Sequence, residues 1–487
     1  MGIVAGLDSS STFTRIVVCD TDTGAVLRQG YAPHPQPTGD PGVTGPHETD
    51  PQAWLLSLGE AAGGGLLEGV QAIGVSAQQQ AVLPLDAQGG LVRPALVGND
   101  KRGQVAAADL VEALGGRHAW AEAVGSVPHS AQPLAKLAWL ARTEPEAARR
   151  VAVLMSPHDW LVWQLLGRPA RRTTDRGGAS GTGYWSAATG SYRPDLVELA
   201  LGHRALLPEV LGPADGAGTT PEGLLISAGT GETMAAALGL GLGPGDAVVS
   251  LGASGSVMAV HHEALSEPTG LITSLADASG MHLPVVNTSN AVRALRGTAE
   301  LLGTDLEGLS ALALESTPGA HGLVLLPYLE GERTPDLPHT AGTLSGLRRD
   351  SMKREHLARA AFEGMLCGLV DALDVLRSRG AGVRRVFLLG AAAGLPAVRA
   401  AAPGLFGAQI VVPAPADYAA LGAARQAAWA LGAAQGTLAP HTPPVWPAPA
   451  AQVFEPGEDL PAWQAVRQQY IATREQVHPG AFRAAGN

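Results

Sequence analysis

The spacing of apolar residues changes several times along this chain, and each change marks an element. From residue 3 to residue 31 two apolar runs, IVAGL and TRIVVCD, are followed after the Thr21–Gly24 turn by AVLRQGY. Short apolar runs bounded by turn residues predict a β-meander, here one that opens an α/β domain. HETDPQAW reads as a loop ending in a helix start, with Asp50 as cap and Pro51 at the first helical position. Short strands and turns alternate through VQAIGVSAQQQAVLPLDAQGGLVRPALVGNDKR. From Gln104 to Val151 the pattern is helical with a break at GSVPHSAQP, and SPHDWLVWQLLG is one further helix with a Ser-Pro start and a Gly stop. Its His158 and Asp159 read as capping and surface groups. TTDRGGASGTGYW is a polar Gly-rich loop whose Asp175 either faces a cleft or caps a turn.

The segment Ala228–Val260 carries three devices in a row. A Gly-rich turn presents Glu232 at the start of a small-residue helix, Gly243, Pro244 and Gly245 break the chain, and a strand enters the tight turn Leu251–Gly255. VVSLGASGSVMAV echoes IVAGLDSSSTFTRIVVCD, which predicts one anion-handling hairpin used twice. Beyond it come a strand, polar turn and helix from Leu283, then a buried strand and a long charged loop from Gly322 to Leu347 in which Glu332 and Arg333 are expected to pair. A long amphipathic helix, Glu355–Gly380, leads to the strand VRRVFLLG, a small-residue turn, and the Ala-rich helix YAALGAARQAAWALG. Thr437–Pro449 is Pro-rich and reads as a linker, and a last helix near Pro461–Glu475 is expected to pack back on the body.

Length and composition narrow this picture. A chain of 487 residues exceeds one core and suits two large domains with a cleft. A net charge of -11 argues against nucleic acid but not against a bound nucleotide, because backbone donors and a metal act locally. Only Lys101, Lys136 and Lys353 are lysines, and none lies in a GKT-type loop, which argues against a P-loop enzyme. Cys19 and Cys367 stand among apolar neighbours as buried free thiols, which fits a reducing, cytoplasmic setting. No basic leader and no sustained apolar run marks secretion or a membrane span.

Four patches carry candidate chemistry. In LDSSSTF, small hydroxyl residues let the backbone approach an anion, and Asp8 at a strand end can face a metal; an ordinary Asp-Ser turn is the alternative. Gln78, Gln79 and Gln80 follow a strand and suit sugar hydroxyls, or else form a solvated loop. Asn99, Asp100 and Arg102 can line the same strand end. The turn GAAAGL, Gly390–Leu395, can admit an adenine and its ribose or serve as a plain strand-to-helix turn.

Taken together these motifs resemble the FGGY family of carbohydrate kinases, most of all its xylulose-phosphorylating members. GLDSSSTFTR is similar to the family's first phosphate motif, SLGASG to its second and LPYLEGERTP to its long-loop signature. RPALVGNDKR, TTDRGGASGTGYW and YAALGAARQAAWA fall in the family's order, and the resemblance runs from Val4 to about Gly432. It implies a two-lobed actin-like ATPase fold of the ribonuclease H-like kind, with two α/β domains around a central cleft. The expected division is 1–243 on the sugar side, 246–440 on the nucleotide side, and 441–487 as Pro-rich linker and terminal helix. It also implies phosphorylation of a sugar hydroxyl, nominally of D-xylulose to D-xylulose 5-phosphate, with ATP and Mg²⁺ as cofactors, no nucleic-acid or membrane partner, and room for a homodimer.

Residue by residue, the resemblance makes Asp8 the group that positions Mg²⁺ and the transferred phosphoryl. Ser10, Ser11, Thr12 and Arg15, with Gly252, Ala253, Ser254 and Gly255, would hold the phosphates. Gln79, Gln80, Asp100, Glu232 and Thr233 would meet the sugar, and Gly390, Ala391, Ala392, Ala393 and Leu395 the adenosine. Glu232 holds the place of the catalytic base. The chain departs from the family at Glu232, an aspartate there; at Thr233, usually Asn; at Gln80, a His in xylulose kinases; and at Gly98 and Gly178, a Trp and an Asp. Gly98 and Gly178 are expected to open space beside the longer base, and the alanines of GAAAGL to crowd the nucleotide. A kinase for another pentulose or polyol, or a catalytically impaired ligand-binding or regulatory protein, is the alternative.

Overall fold

A computed structural model describes residues 2–35, 47–98 and 100–482, so Asn99 lies outside the described residues. Contacts between Cα atoms divide the chain into two units. The first takes the residues up to Leu242, Ser274–Leu283 and Ala416–Ala448; the second takes Gly243–Thr273, Pro284–Pro415 and the chain from Pro449 onward.

The first unit is built on the strand Ile3–Ser9, whose residues from Val4 onward are all buried. In its sheet the order is Gly216–Thr219, Leu225–Ser227, Ala72–Ala77, Ile3–Ser9, Phe13–Asp20 and Val26–Pro33, with Thr230–Gly231 also paired to Ala72–Ala77. The opening meander is therefore present, joined by a parallel strand from the QAIGVSA run. Residues of a strand alternate between faces. On one face Ala5, Leu7, Ile16, Val18, Ile73 and Val75 pack with Trp54 and Trp160. On the other, Val4, Val17, Cys19 and Ala72 pack on Ala420, Ala424, Ala427 and Ala428 of the helix Tyr418–Ala434.

That Ala-rich helix lies unusually close to the sheet. A methyl group at Gly6 would stand 1.9 Å from the Ala420 carbonyl oxygen, and one at Gly74 1.9 Å from that of Ala423. The small residues are thus a packing requirement. The same helix crosses Glu232–Leu240 through Gly422 and Gly239. By contacts the 416–448 stretch belongs with the first unit, and its Pro-rich part is pinned there rather than loose. Trp446 donates through Nε1 to the Thr21 carbonyl at 2.9 Å, and the Arg425 guanidinium donates to the Pro444 carbonyl.

The second unit repeats the plan. Asp246–Leu251 pairs antiparallel with Gly255–Ala259 and parallel with Arg385–Leu389, in the order Ile272–Thr273, Val285–Thr288, Gly255–Ala259, Asp246–Leu251, Arg385–Leu389, Gln409–Pro413, Ala451–Phe454. The long helix Arg354–Arg377 supplies most of its core, with Phe362, Met365, Leu366, Leu369 and Leu373 buried. The expected last helix is Leu460–Val477, and it packs on this unit, where Arg467 and Arg474 both pair with the buried Asp371. Both cysteines are buried free thiols; burial pushes Cys19 up to about 12 and Cys367 higher still. Among the described residues no helix is long and apolar enough to cross a membrane.

Candidate active site

Three strand ends in the first unit stand level and bring its acids together. Asp8 pairs in register with Ser76, and Ser76 with Thr230, two residues before Glu232. Asp8 is 4% exposed and accepts one hydrogen bond from the Ser76 hydroxyl at 2.8 Å. Burial, aided by the charges of Asp417 and Glu232, pushes its carboxyl up to about 8, against the lowering effects of Ser76 and Arg15. A buried carboxylate so placed gains from a cation. Mg²⁺ takes one or two protein carboxylates and completes its shell with water and phosphate oxygens, so this donor set fits it. Among the described residues no group of three or more His, Cys, Asp or Glu could hold a metal.

Glu232 is the first residue of the helix Glu232–Leu240, capped by Gly231, and is half-buried. A helix N-terminus favours a negative charge, yet burial raises this carboxyl above its ordinary value, opposed by the Gln79 backbone N–H. Gly231 lets Gln79 lie close, since a methyl group there would stand 2.5 Å from Gln79 Cγ and displace that side chain. Gln79 Nε2 in turn lies 3.0 Å from Met234 Sδ, on the same helix. Glu232 and the glutamine loop thus share one support. Gln80 is exposed with a left-handed φ of 59°, and Thr233 is half-buried beside Glu232.

The turn after Asp8 is closed by Ser10. Its hydroxyl accepts from the N–H groups of Thr12 and Phe13 at 3.2 and 3.1 Å, while Ser11 and Thr12 stay exposed. Arg15 lies over the Phe13 and Tyr31 rings, 5.5 Å from each centroid, and its Nε is 3.4 Å from Asp417, the cap of the Ala-rich helix. Asp100 is only 1% exposed, and its carboxylate is taken by Arg102 and the His47 N–H. It braces its loop instead of facing open space.

Two expectations fail behind the base. His158 and Asp159 were expected on the surface but are 1% and 3% exposed. Asp159 does cap its helix in a capping box with Ser156, while His158 Nε2 lies 3.0 Å from Asp159 and 3.3 Å from Asp175. Burial works against the charged ring, but the two carboxylates outweigh it and hold His158 up to about 10. Asp175 caps Arg176–Ser180 and accepts from the Thr230 hydroxyl at 2.7 Å, reaching the strand that delivers Glu232. Gly178 opens no space, because a methyl group there would stand 2.3 Å from His158 Cε1; the imidazole fills the room. A methyl group at Gly98 would stand 3.5 Å from the Gln79 carbonyl oxygen, an ordinary contact, so a side-chain carbon fits there without displacing its neighbours.

In the second unit the turn Gly252–Ser254 is exposed between its strands. It is held from behind by N–H groups at the start of the next helix, Ala291 to the Ala253 carbonyl and Val292 to that of Gly252, both at 3.0 Å. Gly255 is buried, and a methyl group there would meet Leu369 at 2.5 Å. Gly390, with φ of 100°, approaches Leu251 so closely that a methyl group would stand 2.6 Å from its carbonyl oxygen. The two turns are therefore neighbours. Crowding by the alanines does not follow, since Ala392, Ala393 and Leu395 point into the core and only the Ala391 methyl is exposed. Glu332 pins its loop as expected, but through the backbone N–H groups of Arg333 and Thr334 and the Asn290 amide.

Ser76, Asp417 and the His158–Asp175 pair escaped the sequence reading. Ser76 did leave a signal, a polar residue inside the buried run AIGVSA at the level of Asp8.

Two mixed-sheet units, each with a strand–turn–strand device, and acids gathered at strand ends in one of them, define a two-domain α/β protein, and the comparisons with known proteins place it among phosphotransferases. Residues 3–241 match the FGGY family of carbohydrate kinases, N-terminal domain, and residues 247–431 its C-terminal domain. The xylulose kinase of Streptomyces coelicolor is 41% identical over 88% of this chain and 87% of its own length, and that of Streptomyces rubiginosus is 40% identical over the same shares. The crystal structure of xylulose kinase from Bifidobacterium adolescentis superposes with a TM-score of 0.88 at 36% identity, covering 97% of this chain and 99% of its own. The chain belongs to the FGGY family of carbohydrate kinases.

Proposed function

We propose that this carbohydrate kinase is a xylulose kinase, transferring the γ-phosphoryl group of ATP to a hydroxyl of D-xylulose to give D-xylulose 5-phosphate and ADP in the cytoplasm. The observation that carries the reading is the placement of Glu232, half-buried with a raised pKa, two residues along from the strand end level with Asp8. The xylulose kinases among its relatives supply the substrate.

In this reading the sugar hydroxyl oxygen attacks the γ-phosphorus, the bond from that phosphorus to the bridging oxygen of ADP breaks, and the hydroxyl proton passes to Glu232. A base whose pKa is raised toward the working pH accepts that proton more effectively, and positioned proton transfer contributes roughly 10²- to 10⁴-fold. Gln79 and Gln80 orient the sugar, with Gln79 set against the same helix as the base. Ser11, Thr12 and the Gly252–Ser254 turn receive phosphate oxygens, and the Gly390–Leu395 turn receives adenosine. Asp8 would hold Mg²⁺, which when bound would neutralise phosphate charge. Asp100 acts through Arg102 to hold its loop.

An ADP-release assay across pentuloses, hexuloses and polyols tests the proposal. Saturable turnover best on D-xylulose is expected. Turnover only on another pentulose or polyol would reassign the substrate, and none on any sugar together with no ATP binding by calorimetry would defeat the kinase reading.

A further inference from the structure

Lys136 is among the most deeply buried cations of the first unit, 1% exposed on the helix Pro133–Thr143. Its Nζ donates to the Gln80 carbonyl oxygen and to that of Val97 at 2.7 Å, with the Leu96 carbonyl at 3.5 Å. An ammonium has three N–H donors and no acceptor, so one group meets three carbonyls. Those carbonyls come from two segments. One is the glutamine loop after Ala72–Ala77; the other is the strand Ala95–Leu96, which runs on toward Gly98 and Asp100.

Gln80 is one of four described non-glycine residues with positive φ, a conformation that persists only where surrounding structure imposes it. On its carbonyl side this residue is held by the Lys136 ammonium. No carboxylate forms an ion pair with this ammonium among the described residues. Burial pulls it down to about 7, Asp100 favours its charge and Arg102 opposes it, with Glu48 and Arg93 in the same ion-pair chain as Arg102. Keeping an unpaired cation buried is costly, and a hydrocarbon of equal length would fill the space without that cost. Its carbonyl contacts are the return for that cost.

We infer that Lys136 is a positioning residue for substrate selection: by clamping the Gln80 and Val97 carbonyls it sets where the Gln79–Gln80 loop presents its amides, and so which sugar the site holds. The inference rests on the reading of those glutamines as sugar contacts.

Lys136→Met and Lys136→Gln in the full chain test it. With Lys136→Met the KM for D-xylulose should rise about tenfold while kcat and the KM for ATP stay within about threefold, the pattern of lost binding rather than lost chemistry. Lys136→Gln, which keeps N–H donors, should recover part of that loss even if the methionine variant folds poorly. In a Gln80→Ala background the Lys136→Met effect should shrink to below about threefold, since residues acting as one unit are not additive. Hydrogen exchange of the 78–82 amides should quicken in the variant whatever the sugar. Equal losses of kcat and ATP affinity that track melting temperature, or full additivity with Gln80→Ala, would overturn the inference. If the parent protein turns over no sugar, the kinase reading fails by itself, and unchanged exchange at 78–82 would then sink the clamp separately.

Discussion

The hairpins Ile3–Ser9/Phe13–Asp20 and Asp246–Leu251/Gly255–Ala259 follow one plan and diverge in charge. Each pairs antiparallel through a short polar turn, and each first strand has a parallel neighbour on its other side. The first strand of one carries a buried acid, Asp8, one residue before its end, with Asp417 and Glu232 near enough to raise its pKa. Its counterpart ends on Leu251, and the neighbouring turn contributes only Gly390 and a methyl. On the proposed reading one backbone device serves two tasks: the strand end that manages charge carries an acid, and the turn that receives a ligand relies on glycines and backbone N–H groups.

The largest effect that would sharpen this division is at the base. Glu232→Gln removes the proton acceptor with little change of shape, and sugar-dependent turnover should fall roughly 10²- to 10⁴-fold with ADP affinity by calorimetry unchanged. Retained turnover would move the chemistry elsewhere. Glu232→Asp shortens the reach by a methylene, and a displacement of ~1 Å can change the rate by ~10². His158 already fills the space next to Gly178, and this change is expected to lower turnover as well; a rise would mark Glu232 as drift from an ancestral aspartate.

Asp8 gives the next effect, and it is read in stability. Its folded pKa of about 8 lies above the ordinary 3.8, so between those values the folded state binds the proton more tightly than the unfolded chain. The contribution to stability is full below 3.8 and is lost as pH rises through 8, on the order of a few kcal/mol. Chemical denaturation without metal should show stability falling over this window, and Asp8→Asn should flatten the slope. Mg²⁺ with ADP should stabilise the parent more at pH 8 than at pH 6 and do less for the variant. A slope that survives in Asp8→Asn would place the buried charge on another group.

At the turns of the second unit the same size of perturbation should touch nucleotide alone. Gly390→Ala puts a methyl group 2.6 Å from a backbone carbonyl at a φ of 100°, a strain of about 1–3 kcal/mol. The KM for ATP should rise several-fold and the melting temperature fall, with the KM for sugar unchanged. A matching rise in sugar KM would break the division of tasks.

Sequence alone carried the fold and the chemical motifs, because both rest on local patterns. Paired strands showed as apolar runs, the turns as DSSS and GASG, and the acid at a helix start as GTGE. What it missed depends on residues far apart in the chain. Asp417 raises the pKa of a residue more than four hundred positions earlier, and nothing in DYAALG announces it. His158 and Asp175 sit in helix-capping patterns that are identical on a surface and in a core, so only burial separates structural from exposed. Gly178 shows the same limit from the other side, since deletion of a side chain predicts a void only when no neighbour moves in.

The finest test concerns the direction of single methyl groups in GAAAGL. Counted in sequence, three alanines crowd a nucleotide; in the fold, Ala392 and Ala393 are 2% and 3% exposed within the second unit's core, and Ala391 faces outward. Ala392→Gly should therefore act on stability, removing a buried methyl and adding backbone freedom, for about 1 kcal/mol or somewhat more. Its ADP affinity should stay near the parent's. Ala391→Gly should do the reverse, leaving buried area intact and changing ADP affinity by about twofold or less, because a single exposed methyl contributes under about 1 kcal/mol. Calorimetric ADP titration beside thermal melts separates the pair. An affinity gain in Ala392→Gly larger than in Ala391→Gly would mean that the turn inverts when nucleotide arrives and that the core-facing alanines do reach the ligand.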